Sequence, residues 1–76
     1  MHNITIYSTP TCHFCHLAKE YFTSKGIKYT EYDVLSDLTK RQEMVEKSGQ
    51  LGVPVIVVDE KVIVGFDQPQ IEGLLK

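Results

Sequence analysis

A chain of 76 residues with a formal net charge of −2 has room for one small hydrophobic core and no second domain. Its acidic and basic side chains are interleaved, so it lacks the basic footprint that nucleic-acid binding needs. The longest apolar run, residues 53–58, is far too short to cross a bilayer, and no basic stretch followed by an apolar one opens the chain, so a cytoplasmic, reducing compartment is expected.

Ile4 and Ile6 alternate with Thr5 and Tyr7, so residues 3–8 read as a strand. Residues 9–11 are loop, interrupted by Pro10. From residue 13 to residue 25 the apolar positions Phe14, Leu17, Ala18, Tyr21 and Phe22 fall at helical spacing, and Gly26 stops the helix. Residues 28–34, with Tyr29, Thr30, Tyr32 and Val34, form a second strand. Ser36 or Asp37 caps a helix running to about Lys47, with Leu38, Met44 and Val45 on its apolar side and Ser48-Gly49 at its end. Residues 55–58 and 62–64 flank the polar turn Asp59-Glu60-Lys61 and predict a β-hairpin. Residues 68–75, with Ile71, Leu74 and Leu75, make a last short helix. The order β-α-β-α-β-β-α predicts one α/β domain over residues 1–76, with a four-stranded mixed sheet and helices on both faces. The first crossover should be right-handed and parallel, the hairpin antiparallel.

Cys12 and Cys15 are the only cysteines, and they stand where the strand pattern gives way to the helix pattern. A bridge across two residues closes too small a loop to staple a fold, so they read as a working pair. A Cys-x-x-Cys pair opening a helix after a strand is the redox arrangement of the thioredoxin-like class. The first sulfur faces orphan N–H groups and the positive end of the helix dipole, which favour thiolate over thiol. Such sites lower a thiol from about 8.5 to roughly 3.5–7.5, and the thiolate is what attacks a disulfide. Cys12 is therefore the expected nucleophile and Cys15, one turn inward, the resolving thiol. The stretch Cys12-His13-Phe14-Cys15-His16 also fits a haem-attachment pattern, but that chemistry needs export and a second axial ligand. A structural zinc site needs four ligands, which His2, His13 and His16 do not complete, so no metal is expected.

Four landmarks follow one another along the chain: Ile6-Tyr7-Ser8 with Thr11-Cys12 and Cys15, residues 40–44 through Ser48-Gly49, Val53-Pro54, and Gly65-Phe66-Asp67. With them the whole chain resembles a small bacterial-type glutaredoxin, close to the NrdH-type redoxins. The resemblance implies a thioredoxin-like fold and reduction of protein disulfides and glutathione mixed disulfides through Cys12 and Cys15. It implies glutathione as co-substrate with no tightly bound cofactor, and disulfide-containing client proteins, ribonucleotide reductase among the candidates. A small charged surface favours a monomer, without nucleic acid or membrane as partner. On spacing alone Pro54 is equally a proline opening an edge strand or one in a cis bond; the resemblance implies the cis bond. Val53 before it would then offer its backbone to a peptide-like substrate. Gly65, Phe66 and Asp67 match the loop that holds the γ-glutamyl end of glutathione. Asp67 can also be a helix cap, and both roles can hold together.

Several positions depart from the family pattern. Thr9 stands where glutaredoxins commonly carry a basic residue that helps bind glutathione. Gly65-Phe66 is similar to the loop of NrdH-type redoxins, which take electrons from thioredoxin reductase and pass them to ribonucleotide reductase. Asp67 points back to glutathione. His13 replaces a common proline; as an imidazolium it would favour the thiolate, and otherwise it is an exposed histidine of little effect. Glutaredoxins without that proline can bridge an iron–sulfur cluster between two protomers with two glutathiones, so a cluster carrier is the alternative of another class. Phe14 is expected to contact partner proteins, and His16 to be a surface or packing histidine.

Overall fold

Residues 2–75 are described by a computed structural model. The alternating segment forms strand β1 (Ile4–Ser8), which pairs in parallel with β2 (Thr30–Asp33) and antiparallel with β3 (Val55–Val58). β3 turns back into β4 (Lys61–Val64), giving a four-stranded sheet in the order β2-β1-β3-β4. Helices α1 (His13–Ser24), α2 (Leu38–Ser48) and α3 (Gln68–Leu75) complete the expected β-α-β-α-β-β-α order.

The pleat sorts the side chains to two cores. Ile4, Ile6, Ile56, Val58 and Ile63 face α1 and α3, where they meet Ala18, Tyr21, Phe22 and Ile71. Tyr7 and Val55 face the other way, against Met44 of α2 and Val34. β3 therefore needs apolar residues at every position, which is why it reads as an unbroken run rather than an alternation. Under α2 the buried Tyr7 hydroxyl donates to Glu43 Oε1 at 2.5 Å, and Lys40 Nζ lies 3.2 Å from Glu43 Oε2. That hydrogen bond holds the Glu43 carboxyl down at about 2, and burial pushes the Tyr7 hydroxyl up.

Three local expectations change. Leu38 is 69 % exposed and not part of the apolar side of α2. At about 100° per residue it lies roughly 120° around the helix from Met44, and Asp37 already holds the first turn by accepting from Lys40 N–H at 3.1 Å. β2 is shorter than the apolar pattern, although the Val34 N–H still reaches the Ser8 carbonyl at 2.9 Å. Lys61 belongs to β4, so the hairpin closes through Asp59 and Glu60 alone, with φ of 48° and 75°. Such two-residue turns need positive φ at both positions. Among the described residues no helix is long and apolar enough to cross a membrane.

Asp59 tolerates the left-handed region, and its carboxylate accepts the Asn3 N–H at 2.7 Å, but Glu60 brings no such compensation. A left-handed residue with a Cβ costs about 1–2 kcal/mol, and glycine returns part of that gain as entropy. Glu60→Gly should stabilise the protein by about 0.5–1 kcal/mol, read as a higher denaturant midpoint at unchanged slope.

Candidate active site

The loop 9–11 delivers Cys12 to the N-cap of α1 with an extended backbone, φ −84° and ψ 113°. That conformation aims the cap side chain back over the first turn. The Cys15 N–H donates to Cys12 Sγ at 3.2 Å, and the Cys12 N–H donates to the Thr9 carbonyl at 3.3 Å. No acidic side chain in the first turn of α1 competes for its free N–H groups. Both cysteines are free thiols, Cys12 half-buried and Cys15 fully buried. Burial pushes the Cys15 thiol up to about 12, and the hydrogen bond and charge of Cys12 push the same way, against the Thr9 backbone and the Lys19 ammonium. The two sulfurs are thus chemically unequal.

Beyond Phe14 a groove of about 610 Å³ gathers Phe14, Val53, Pro54, Gly65, Phe66 and Asp67, six of the residues picked out in the sequence. Val53–Pro54 is a cis peptide. The Pro54 carbonyl accepts the Gly65 N–H at 2.8 Å, which ties the two loops that form the groove floor. Gly65 has φ 85°, and a Cβ there would meet nothing within 4 Å. Its requirement is therefore conformational rather than spatial. Phe66 is half-buried, its ring edge-on to Tyr21 with centroids 5.8 Å apart, so it anchors the loop to the core. Asp67 is exposed and caps α3, Oδ1 accepting the Gln70 N–H at 3.3 Å. Phe14 is 58 % exposed at the rim.

Two of the remaining candidates lie apart from this groove. Thr9 lines a separate recess with Ser8, Pro10, His16, Lys19 and Glu31. The His13 ring stands against Phe14, with centroids 5.5 Å apart. His16 is exposed and its Nε2 donates to the Pro10 carbonyl at 3.1 Å. The sequence reading missed Ser8, Lys19 and Glu31, whose side chains meet in the Thr9 recess. Lys19 had one usable signal, its place four residues after Cys15; Glu31 had none until the β1–β2 register was known. Among the described residues no group of three or more His, Cys, Asp and Glu side chains could hold a metal ion.

A helix-capping cysteine over a buried partner thiol, on this mixed sheet, is the constellation of a thiol–disulfide oxidoreductase of thioredoxin-like fold. The sequence model of the glutaredoxin family matches residues 4–63, and the chain belongs to that family. It is 47 % identical over 73 residues to a glutaredoxin-like 8.6 kDa protein in the rubredoxin operon of Clostridium pasteurianum, covering 96 % of this chain and 97 % of the other. It is 40 % identical over 67 residues to glutaredoxin 3 of Escherichia coli K12, covering 88 % and 81 %. Among solved structures, the thioredoxin-like protein BC3987 superposes with a TM-score of 0.88 at 28 % identity, covering 95 % of this chain and 99 % of that one. A glutaredoxin from Archaeoglobus fulgidus reaches a TM-score of 0.88 at 20 % identity, covering 100 % and 88 %, a likeness of fold alone.

The inequality of the sulfurs has a direct readout. Iodoacetamide at neutral pH should alkylate one thiol per native chain, and peptide mass mapping should place it on Cys12. Cys15 should react only after unfolding, because at a pKa of about 12 it is a thiol and is shielded from reagent. Labelling of Cys15 in the native chain would contradict this geometry.

Proposed function

We propose that this chain is a dithiol glutaredoxin that reduces protein disulfides and glutathione mixed disulfides and is itself reduced by glutathione in a reducing compartment. The observation that supports it best is the single groove joining the rim of the cysteine turn at Phe14 to Val53–Pro54 and Gly65–Asp67. Cys12 is the nucleophile, because its sulfur is the more exposed and already accepts an N–H that an anion would accept more strongly. Its electron pair attacks one sulfur of the substrate disulfide, the substrate S–S bond breaks, and the departing thiolate takes a proton from water. The remaining half stays on Cys12 as a mixed disulfide. Cys15, deprotonated in turn, attacks Cys12 Sγ and expels the second half as a thiolate. Two glutathiones then reduce the Cys12–Cys15 disulfide and leave as their own disulfide.

The groove supplies substrate contacts for this sequence. Val53 offers its backbone to the substrate peptide, as a short added strand. The Gly65–Asp67 loop, at the N-terminus of α3, suits a carboxylate at its N–H groups and an ammonium at Asp67. Phe14 gives the rim an apolar contact, and no tightly bound cofactor is required.

Two observations favour a second reading, an NrdH-type redoxin fed by thioredoxin reductase and serving ribonucleotide reductase. Thr9 turns to the other recess and brings no cation to the groove, and Asp67 already serves as a cap. A paired NADPH assay separates the two. One arm supplies glutathione and glutathione reductase, the other thioredoxin reductase, each with a small disulfide. Turnover only in the first arm is the expected result; turnover only in the second overturns glutathione dependence. Cys12→Ser should abolish activity, whereas Cys15→Ser should keep deglutathionylation and lose protein-disulfide reduction.

Asp67→Asn retains a capping oxygen and removes the charge. An exposed ion pair is worth about 0.2–1 kcal/mol, so the KM for a glutathione mixed disulfide should rise by up to about fivefold with kcat held. An unchanged KM would reduce Asp67 to a cap.

A further inference from the structure

The parallel register sets Ile6 opposite Glu31 and Ser8 opposite Asp33, which brings a strand carboxylate against α1. Glu31 Oε2 accepts from the buried Ser8 hydroxyl at 2.7 Å and lies 2.8 Å from Lys19 Nζ. One carboxylate oxygen thus holds the ammonium against the sheet edge. The Lys19 side chain is only 22 % exposed, so bulk salt screens it less than a free surface lysine. Residues four apart on a helix face one another at about 5–6 Å between Cβ atoms, and Cys15 is four before Lys19. Nothing in the exchange described so far uses this cluster.

We propose that Lys19 is a positioning residue for the second half of the exchange: its ammonium, tethered by Glu31 and Ser8 one turn beyond Cys15, favours the anionic Cys15 sulfur as it attacks Cys12. The inference rests on Cys15 being the resolving thiol. In that step the Cys15 thiol gives its proton to water and its electron pair forms the Cys12–Cys15 bond. The bond from Cys12 to the client sulfur breaks, and the client leaves as a thiolate that takes up a proton. The two cysteines are oxidised and the client is reduced.

The charged and titratable groups of the Lys19 recess are His16 and Lys19 on α1 and Glu31 and Asp33 on β2. Tyr29 also acts on Lys19, Cys12 adjoins Cys15 at the cap, and Asp67 belongs to the other groove. Lys19 is the one fixed cation among them. Glu31 holds it protonated, and Lys19 and Ser8 in turn hold Glu31 ionised. When Cys12 enters the mixed disulfide it can no longer carry the negative charge that opposes a Cys15 thiolate. The Lys19 ammonium and the Thr9 backbone, which pull the Cys15 thiol down, then act without that opposition.

The test follows the carbon-13 chemical shift of the Cys15 Cβ against pH in a Cys12→Ser background, where no other thiol titrates and tyrosine ionisation does not overlap the signal. Lys19→Met should move the Cys15 titration up by about one pH unit, leaving about tenfold less thiolate at a given pH below it. Lys19→Arg should restore the parent curve, and Lys19→Gln provides a second neutral side chain should Met perturb the fold. In the dithiol protein, Lys19→Met should slow single-turnover release of a client thiol by about the same tenfold factor, and the loss should shrink as pH rises. An unmoved Cys15 titration in both neutral variants overturns the proposal, as does an equal slowing by Lys19→Met of the first attack, read as mixed-disulfide formation in a Cys15→Ser background. Parent protein that shows no dithiol turnover, with the Lys19-dependent titration intact, would instead sink the assignment of Cys15 as resolving thiol.

Discussion

The hydrogen bond from the Cys15 N–H to Cys12 Sγ is the contact on which the site's chemistry turns, and it exists only because α1 begins where it does. An N-cap side chain reaches its acceptor position when its own residue is extended and the next is helical. Cys12 meets that condition because the loop 9–11 is held by the Thr9 carbonyl and because α1 is fixed further on. Ala18 and Phe22 are fully buried against Ile4 and Ile6 of β1. A slip of one residue in that packing would rotate α1 by about 100° and carry Cys15 out of the interior. The core of this small domain therefore sets the difference between its two sulfurs.

The groove obeys another constraint, since its walls come from three places far apart in the chain. Phe14 comes from α1, Val53 and Pro54 precede β3, and Gly65 to Asp67 follow β4. β3 and β4 are neighbours in the sheet, so the start of one strand and the end of the other meet at the same edge. The Gly65 N–H to Pro54 carbonyl bond continues that antiparallel pairing past the strand ends. Phe66 then turns inward to Tyr21 while Asp67 starts α3. The groove and the N-terminus of α3 beside it are thus consequences of one hairpin being closed correctly, at the far end from Asp59 and Glu60.

Much of this was legible in the sequence because each element declares itself locally. Five apolar positions at helical spacing define α1, and the strand pattern before the cysteines defines β1. The two apolar runs around the polar turn at Asp59 and Glu60 define the hairpin of β3 and β4. What escaped was set by relations between elements. Leu38 counts as apolar in a list of residues, yet its angular position on α2 sends it to solvent. The Ser8–Glu31–Lys19 contact depends on the register of two parallel strands joined through α1, and neither strand taken by itself shows which residue of the other it faces. Thr9 stands where the resemblance implies a glutathione-binding basic residue, and the end of β1 from which it emerges places it in the recess with Ser8, His16, Lys19 and Glu31.

Burial of Cys15 poses a kinetic difficulty that the fold resolves in sequence. Burial pushes the Cys15 thiol up to about 12 and hides it from reagent, which in the proposed exchange keeps the first attack on the more exposed sulfur. The same burial would stall the second attack if every cause of the shift persisted. Desolvation does persist, but the hydrogen bond and the charge from Cys12 belong to its reduced state. Forming the mixed disulfide removes the charge from Cys12 and weakens its sulfur as a hydrogen-bond partner. In the proposed exchange the barrier to ionising Cys15 therefore falls only after the step that makes its ionisation useful, and burial of one sulfur orders the two attacks.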